Sequence, residues 1–88
     1  MTILLHPSFT KSYRRRIAQR PALVRRTGER LTLFEYNPRH PLLRDHALIG
    51  EKIRLRAFSI TGDIRVVYQP LHDGRVLLLD IGTHNQVY

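Results

Sequence analysis

The hydrophobic spacing changes once along this 88-residue chain, and that change limits the folds that it can adopt. In the first half, apolar residues recur every three or four positions, as at Phe9, Tyr13 and Ile17, which is the period of an amphipathic helix. After Gly50 they alternate with polar residues, which is the period of a strand. Helices followed by a run of strands favour an α+β domain, with the helices packed on one face of the sheet.

The predicted order of elements is β-α-α-β-β-β, with an antiparallel sheet, in a single domain of residues 1–88. Gly28 weakens the second helix locally, because glycine costs a helix about 1 kcal/mol relative to alanine. Asp73-Gly74 favours a hairpin turn before the last strand. The expected segments are a strand at Thr2–Leu5, a helix capped by Ser8, a helix from Pro21 to Asn37, and strands at Lys52–Ala57, Ile64–Gln69 and Val76–Leu79. The last strand is apolar on both faces, which predicts a central position in the sheet.

Positive charge is concentrated in the predicted helices. The formal net charge is +8, and thirteen of the fifteen basic residues are arginine, whose guanidinium binds phosphate through two hydrogen bonds. Residues 1–44 contain ten basic and two acidic residues, whereas residues 45–88 contain five of each. The N-terminal half therefore points to a polyanionic partner. A solvated helical surface that only aids solubility is the alternative interpretation.

Several classes of site have no support in the sequence. Cysteine is absent, which excludes disulfides and thiolate metal sites. The chain has no glycine-rich phosphate loop, and none of its five histidines has the spacing of a helical metal site, so we expect no cofactor and no metal. The apolar run in the first seven residues is too short for a signal peptide or a membrane span. We therefore expect a cytoplasmic protein that does not bind membranes.

The first strand after the change of period alternates basic and apolar residues. Lys52, Arg54 and Arg56 fall on one face of this predicted strand, and Arg65 on the next strand shares that face if the two strands pair in the expected register. Three alternating cations are costly to bury, so this face should meet solvent or an anion. The sequence thus predicts a basic surface on the side of the sheet opposite the helices.

Three residues are candidates for acid–base chemistry. His46 follows Asp45 in a loop, Asp63 stands at the entrance of a strand, and His84 follows the end of the last strand. Strand ends and their adjoining loops commonly carry catalytic groups. A histidine side chain can exchange a proton near neutral pH.

Three segments of the chain together resemble the YafQ branch of the RelE/ParE toxin superfamily, in order and in spacing. They are Asp45-His46-Ala47-Leu48-Ile49-Gly50, then Arg56 with Asp63-Ile64-Arg65-Val66-Val67-Tyr68, and Ile81-Gly82-Thr83-His84 with Val87-Tyr88. The resemblance implies the RelE-like microbial ribonuclease fold. It also implies a toxin that cleaves mRNA in the ribosome and is held inactive by a cognate antitoxin.

The resemblance also assigns roles to particular residues. It places His46, Asp63 and His84 on active-site positions of YafQ-type enzymes and Arg65 on a phosphate-contacting position of RelE-type enzymes. Tyr88 matches the terminal tyrosine of RelE-type active sites, although it could equally be a packing residue. Ser59 stands where YafQ-type enzymes carry a second catalytic histidine, and serine cannot exchange protons near neutral pH.

RNA cleavage through the ribose 2′-hydroxyl needs a base for that hydroxyl, an acid for the leaving 5′-oxygen and cations for the charge on the phosphate. It does not require a metal. We expect His84 to be the acid and either His46 or Asp63 to be the base or to orient it. The phosphate would be held by Arg65, Arg54 and Arg56, with Lys52 binding RNA beside them. Ribosomal RNA would be bound by arginines of the helices, namely Arg14, Arg15, Arg25 and Arg26.

Two alternatives remain open at this stage. The superfamily includes ParE-type toxins that poison DNA gyrase and cleave no RNA, and the serine at position 59 leaves room for a catalytically inactive RNA-binding module. His84 and the Asp45–Gly50 segment favour the ribonuclease branch. If the chain is a toxin of either kind, we expect its partner to be an acidic antitoxin encoded by the neighbouring gene.

Overall fold

The computed structural model describes residues 1–52 and 54–88, which form one mixed sheet with helices. The strands are β1 (Thr2–Leu5), β2 (His46–Ala47), β3 (Arg56–Ser59), β4 (Ile64–Pro70) and β5 (Arg75–Thr83). The helices are α1 (Pro7–Arg16), α2 (Pro21–Tyr36) and the short α3 (His84–Val87). Short 3₁₀ turns lie at Pro41–Leu43, Gly50–Lys52 and His72–Gly74. This arrangement confirms the α+β fold with two helices before a run of strands.

The sheet has the order β1-β5-β4-β3-β2 and is not purely antiparallel. The three pairs among β2, β3, β4 and β5 are antiparallel, but β1 lies parallel to β5, with Thr2 opposite Arg75. The prediction of an antiparallel sheet is therefore wrong at this edge. The two helices carry the chain away from β1, so its neighbour in the sheet is the last strand and not the next one along the chain. The prediction that the last strand is central is confirmed, because β5 lies between β1 and β4.

Both long helices begin with proline, but α1 differs from the prediction in its N-cap and α2 is unbroken at Gly28. The N-cap of α1 is His6 and not Ser8: the ring Nδ1 of His6 accepts a hydrogen bond from the Ser8 backbone at 3.0 Å. The Ser8 hydroxyl instead donates to the Leu79 carbonyl on β5. Helix α2 continues through Gly28 without a break, because packing of its buried face outweighs the local cost of glycine.

The first basic strand is shorter and later than predicted. Residues Gly50–Lys52 form a 3₁₀ turn, the Leu55 backbone N–H donates to the Lys52 carbonyl at 2.9 Å, and β3 begins only at Arg56. Ile53, in the middle of the predicted strand, lies outside the described residues. Lys52 and Arg54 therefore do not extend a basic strand face. The alternation of basic and apolar residues predicted a strand from Lys52, but Lys52 belongs to a 3₁₀ turn instead.

The face of the sheet beneath α1 and α2 holds the larger core. Phe34 of α2 stacks on Phe58 of β3, with ring centroids 4.2 Å apart, and meets the edge of Tyr68 on β4 at 4.9 Å. Other buried side chains pack around these rings: Phe9, Ile17, Leu43, Ile60, Ile64, Val66, Val76, Leu78 and Ile81. This packing fixes which side of each strand faces the helices.

Among the described residues, the opposite face holds a small apolar cluster, and the β3–β4 register decides which cations reach that face. Ala57, Val67 and Val87 form this cluster. Arg65 pairs with Ser59 and so shares this face, whereas Arg56 pairs with Tyr68 and lies on the helix side. Arg56 and Ser59 are three positions apart on one strand, so their side chains point to opposite faces. The predicted common basic face of Arg56 and Arg65 is therefore wrong.

The predicted hairpin turn is present between β4 and β5. Asp73 and Gly74 both have positive φ angles, of 60° and 78°, as the tight turns that match strand twist require. Within the described residues, no helix combines the length and the apolar character needed to cross a membrane.

Candidate active site

The short helix α3 places two aromatic side chains beside each other directly after β5. Thr83 caps this helix: its hydroxyl accepts from the Gln86 N–H at 3.3 Å, and the Gln86 side-chain oxygen accepts from the Thr83 N–H at 2.8 Å. His84 is the first residue of α3, and Tyr88 follows one turn later. Their rings meet edge to face, with an interplanar angle of 88° and centroids 4.5 Å apart.

His46 approaches the same tyrosine from β2. Its backbone pairs with Ala57, and its ring Nε2 lies 3.5 Å from the Tyr88 hydroxyl. The ring Nδ1 lies 2.9 Å from the Arg44 carbonyl, which can only accept a hydrogen bond. In the neutral ring the proton therefore belongs on Nδ1, and Nε2 is the free acceptor. Two imidazoles thus flank one phenol on the side of the sheet opposite the long helices.

Lysine and arginine supply positive charge at this cluster. The Lys52 ammonium donates to the Val87 carbonyl at 2.7 Å and lies 6.0 Å from the centre of the Tyr88 ring. Lys52 is therefore at the site although it is not on a strand. It borders an open depression of about 380 Å³ that is also lined by Leu48, Ile49, His84 and Tyr88.

Arg65 of β4 is held by the turn that precedes it. Its guanidinium donates to the Thr61 and Gly62 carbonyls at 3.3 and 3.0 Å. On the neighbouring strand β5 Arg65 faces Gly82, so no side chain stands opposite it on that strand. Burial raises the pKa of Tyr88 above its ordinary value, and the positive charge of Arg65 opposes this effect without cancelling it. Tyr88 therefore keeps its proton at neutral pH.

Two further sequence candidates lie near this face without joining the cluster. Asp63 is exposed in the turn between β3 and β4, where its backbone N–H donates to the Thr61 hydroxyl. No hydrogen bond or ion pair within residues 1–52 and 54–88 joins its carboxylate to His46, His84 or Tyr88. Ser59 is buried directly opposite Arg65, so the position expected for a second histidine does lie on the site face.

The remaining basic candidates are elsewhere. Arg56 contacts Asp45 on the helix side of the sheet, and Arg54 is exposed just before β3. The four helix arginines expected to bind ribosomal RNA are exposed on α1 and α2, which cover the opposite face: Arg14, Arg15, Arg25 and Arg26. The structure therefore separates these four arginines from the histidine cluster.

Sequence reasoning overlooked three residues that shape the site. The Tyr68 hydroxyl donates a hydrogen bond to Asp45, the residue before His46. Gly82 has no side chain and so leaves room for the side chains of Gln86 and Arg16. Asp45 and Tyr68 both belong to segments that carried the family resemblance. Their pairing joins positions 23 residues apart, so local spacing could not reveal it.

The arrangement can carry out acid–base chemistry on an anionic substrate. Two histidines can supply a base and an acid, and Lys52 and Arg65 can balance negative charge that develops between them. The described part of the chain contains no group of three histidine, aspartate or glutamate side chains placed to hold a metal ion.

Comparison with known proteins gives matches only among solved structures; no family model and no curated protein sequence matches the chain. YafQ from Escherichia coli BL21(DE3) superposes with a TM-score of 0.79 at 21% identity, over 98% of this chain and 96% of that one. YafQ in the E. coli DinJ–YafQ toxin-antitoxin complex gives 0.77 at 21% identity, over 98% and 94%.

Two toxins from other bacteria match equally well. A YoeB/ParE toxin from Agrobacterium tumefaciens gives a TM-score of 0.77 at 18% identity, over 96% of this chain and 99% of that one. A metal-bound toxin from Helicobacter pylori gives 0.78 at 21% identity, over 100% and 99%. The chain therefore has the fold of these toxins, which confirms the predicted RelE-like architecture.

We predict that Gly82→Ala loosens α3 without unfolding the domain. A Cβ atom at position 82 would lie 2.6 Å from the Gln86 side-chain oxygen and 2.8 Å from an Arg16 nitrogen. Both side chains can move, but Gln86 would lose its bond to Thr83 and Arg16 its bonds to Asp80 and Ile81. The free energy of unfolding, measured by urea denaturation, should fall by about 1–2 kcal/mol.

Gly28→Ala is the matched control, because apart from the backbone of its own helix no atom lies within 4 Å of the added methyl group. It should leave stability unchanged or raise it by up to about 1 kcal/mol, as expected in a helix. Equal effects of the two substitutions would contradict the close packing around Gly82.

Proposed function

We propose that this chain is the toxin of a toxin–antitoxin pair and that it cleaves RNA by metal-independent acid–base chemistry. The observation that carries the proposal is the convergence of His46, His84 and Tyr88 beside Lys52 and Arg65. The toxin fold supports the first part of the proposal, and the paired imidazoles with adjacent cations support the second. The substrate in the cell would be mRNA on the ribosome, so cleavage would stop translation.

The reaction would begin at the ribose 2′-hydroxyl. His46 Nε2, the free acceptor of its ring, takes the hydroxyl proton while the 2′-oxygen forms a bond to phosphorus. The bond from phosphorus to the 5′-oxygen breaks, and His84 as imidazolium gives its proton to that oxygen. The products are a 2′,3′-cyclic phosphate and a free 5′-hydroxyl. Lys52, Arg65 and the protonated Tyr88 stabilise the negative charge on the phosphate oxygens.

The geometry favours His46 over Asp63 as the base. His46 lies within hydrogen-bonding range of Tyr88, whereas the described contacts do not join the Asp63 carboxylate to the cluster. Asp63 is better placed to contact RNA that extends beyond the cleaved bond. Ser59 would contribute packing and a hydroxyl group but no proton transfer.

We predict that His84→Ala abolishes RNA cleavage and growth arrest while the domain stays folded. General acid–base groups supply about 10²–10⁴-fold in rate, and the exposed His84 contributes little to the core. Cleavage of a defined mRNA in a translation reaction gives the measurement. His72→Ala, which removes an exposed histidine from the β4–β5 turn, is the control and should retain activity.

Retained cleavage by a folded His84→Ala protein would remove the acid from the mechanism. A wild-type chain that inhibits DNA gyrase and leaves mRNA intact would instead support the ParE-type alternative. A chain that binds ribosomes and does neither would be an inactive RNA-binding module.

We predict a division of labour between the two groups of cations. Replacing Arg14, Arg15, Arg25 and Arg26 together by glutamine should weaken ribosome binding and reduce its dependence on salt, because fewer counterions are released. Arg65→Gln should slow cleavage within the bound complex and change affinity little. Binding measured over a salt series and single-turnover cleavage separate the two effects. The division would be wrong if both variants changed affinity alone.

The antitoxin should be acidic and should cover an apolar groove between α1 and α2. This groove, of about 390 Å³, is lined by Leu5, Phe9, Thr10, Tyr13, Val24, Thr27, Gly28 and Leu31. An adjoining depression shares Leu5 and Thr10 and adds Lys11, Arg14 and Arg15. An amphipathic helix with an acidic border fits both the apolar floor and the basic rim. Such a segment commonly becomes ordered only on binding.

We predict that Val24→Glu weakens the complex with the protein of the neighbouring gene. A carboxylate in an apolar groove beside an acidic helix should raise the Kd at least about tenfold, measured by calorimetry. Ala22→Glu, which adds the same charge to α2 outside the groove, should change the Kd little. A neighbouring gene product that neither binds the chain nor restores growth would count against the toxin–antitoxin proposal.

A further inference from the structure

Asp45 has none of the catalytic roles proposed above, but two hydrogen bonds hold its side chain close to His46. Its Oδ1 accepts a hydrogen bond from the Arg56 Nε at 2.8 Å, and its Oδ2 accepts one from the Tyr68 hydroxyl. Its side chain is 10% exposed. A carboxylate this well buried and doubly bonded fixes the backbone that carries it.

The carboxylate and the histidine ring point to opposite sides of the sheet. His46 pairs with Ala57, on the face that carries the histidine cluster, whereas Arg56 and Tyr68 pair on the helix side. Successive residues of an extended segment alternate between faces. Asp45 is therefore fastened behind the site while the next residue faces into it.

The segment on which His46 sits has little else to hold it. Strand β2 contains only two residues, and Arg44 before it adopts a left-handed conformation, with φ of 48°. A non-glycine residue adopts this conformation at a cost in free energy, so the surrounding structure must impose it. The same turn directs the Arg44 carbonyl to His46 Nδ1.

We propose that Asp45 is a positioning residue, which acts through the backbone from the opposite face of the sheet. Its hydrogen bonds to Arg56 and Tyr68 hold the Arg44 carbonyl against His46 Nδ1. This contact keeps the ring in the tautomer that leaves Nε2 free to accept a proton beside Tyr88. The effect on RNA cleavage rests on the proposed function, but the effect on the His46 tautomer does not.

Both donors to Asp45 remain protonated under physiological conditions. Burial and the hydrogen bond to Asp45 raise the pKa of Tyr68 far above its ordinary value. The arginine guanidinium stays charged at any physiological pH. Both donors therefore keep the protons that they give to Asp45 at physiological pH.

Asp45→Asn tests the proposal, because asparagine has the same shape but offers a single acceptor oxygen to two donors. The ¹⁵N chemical shifts of the His46 ring report its tautomer directly. We expect the wild-type ring to be mainly protonated on Nδ1 and the variant ring to be a mixture of tautomers. The kcat for RNA cleavage should fall by about 10–100-fold with little change in KM, since Asp45 faces away from the substrate.

Two further variants make the test specific. Tyr68→Phe removes one donor and keeps the aromatic packing, so it should shift the His46 tautomer in the same direction and carries the test if Asp45→Asn does not fold. Asp73→Asn makes the same chemical change in the exposed pair with Arg75 and should leave His46 unaltered.

The outcomes separate this proposal from the proposed function. An unchanged His46 tautomer in folded Asp45→Asn and Tyr68→Phe proteins would overturn the positioning role, whatever happens to cleavage. A shifted tautomer in a chain whose wild-type form cleaves no RNA would support the positioning role and contradict the ribonuclease proposal.

Discussion

The packing of Tyr68 connects the core of this protein to its candidate active site. Its ring is buried against Phe34 and Phe58 beneath α2, and its hydroxyl bonds to Asp45 at the edge of the sheet. The aromatic contact that holds the second helix on the sheet thus also fixes the segment before His46. A small domain has few buried side chains, and in this protein one of them serves both purposes.

The two faces of the sheet differ because they bury different amounts of apolar surface. The face beneath α1 and α2 packs against four buried aromatic rings and most of the buried aliphatic residues, whereas the other face has a small cluster closed by Val87 of α3. An uncovered face can hold cations in contact with water, where their charge costs little. Lys52 and Arg65 lie there beside Tyr88, and the exposed arginines of the long helices lie on the opposite side of the domain, namely Arg14, Arg15, Arg25 and Arg26.

The candidate site was only partly predictable from the sequence. His46, His84 and Tyr88 were identified because their segments resemble a known family, and the structure brings them together. Arg56 was predicted to share a face with Arg65 if their strands paired in the expected register, because alternation assigns faces within one strand but does not determine how two strands pair. The β3–β4 register then put Arg56 beside Asp45 instead. Long-range pairings of this kind leave no local pattern.

The sequence by itself determined the classes and the order of the longer elements, but it did not predict the short strand β2, which lies where a loop was expected, or the helix α3. Spacing of apolar residues separated helices from strands, Asn37-Pro38 ended α2, and Asp73-Gly74 turned the last hairpin. These features depend on neighbours within a few positions, so short-range physics suffices. Tertiary structure alone decided the parallel pairing of β1 with β5 and the position of Asp45 behind His46. Each of these depends on contacts between residues far apart in the chain, which form only when the core closes around Phe34, Phe58 and Tyr68.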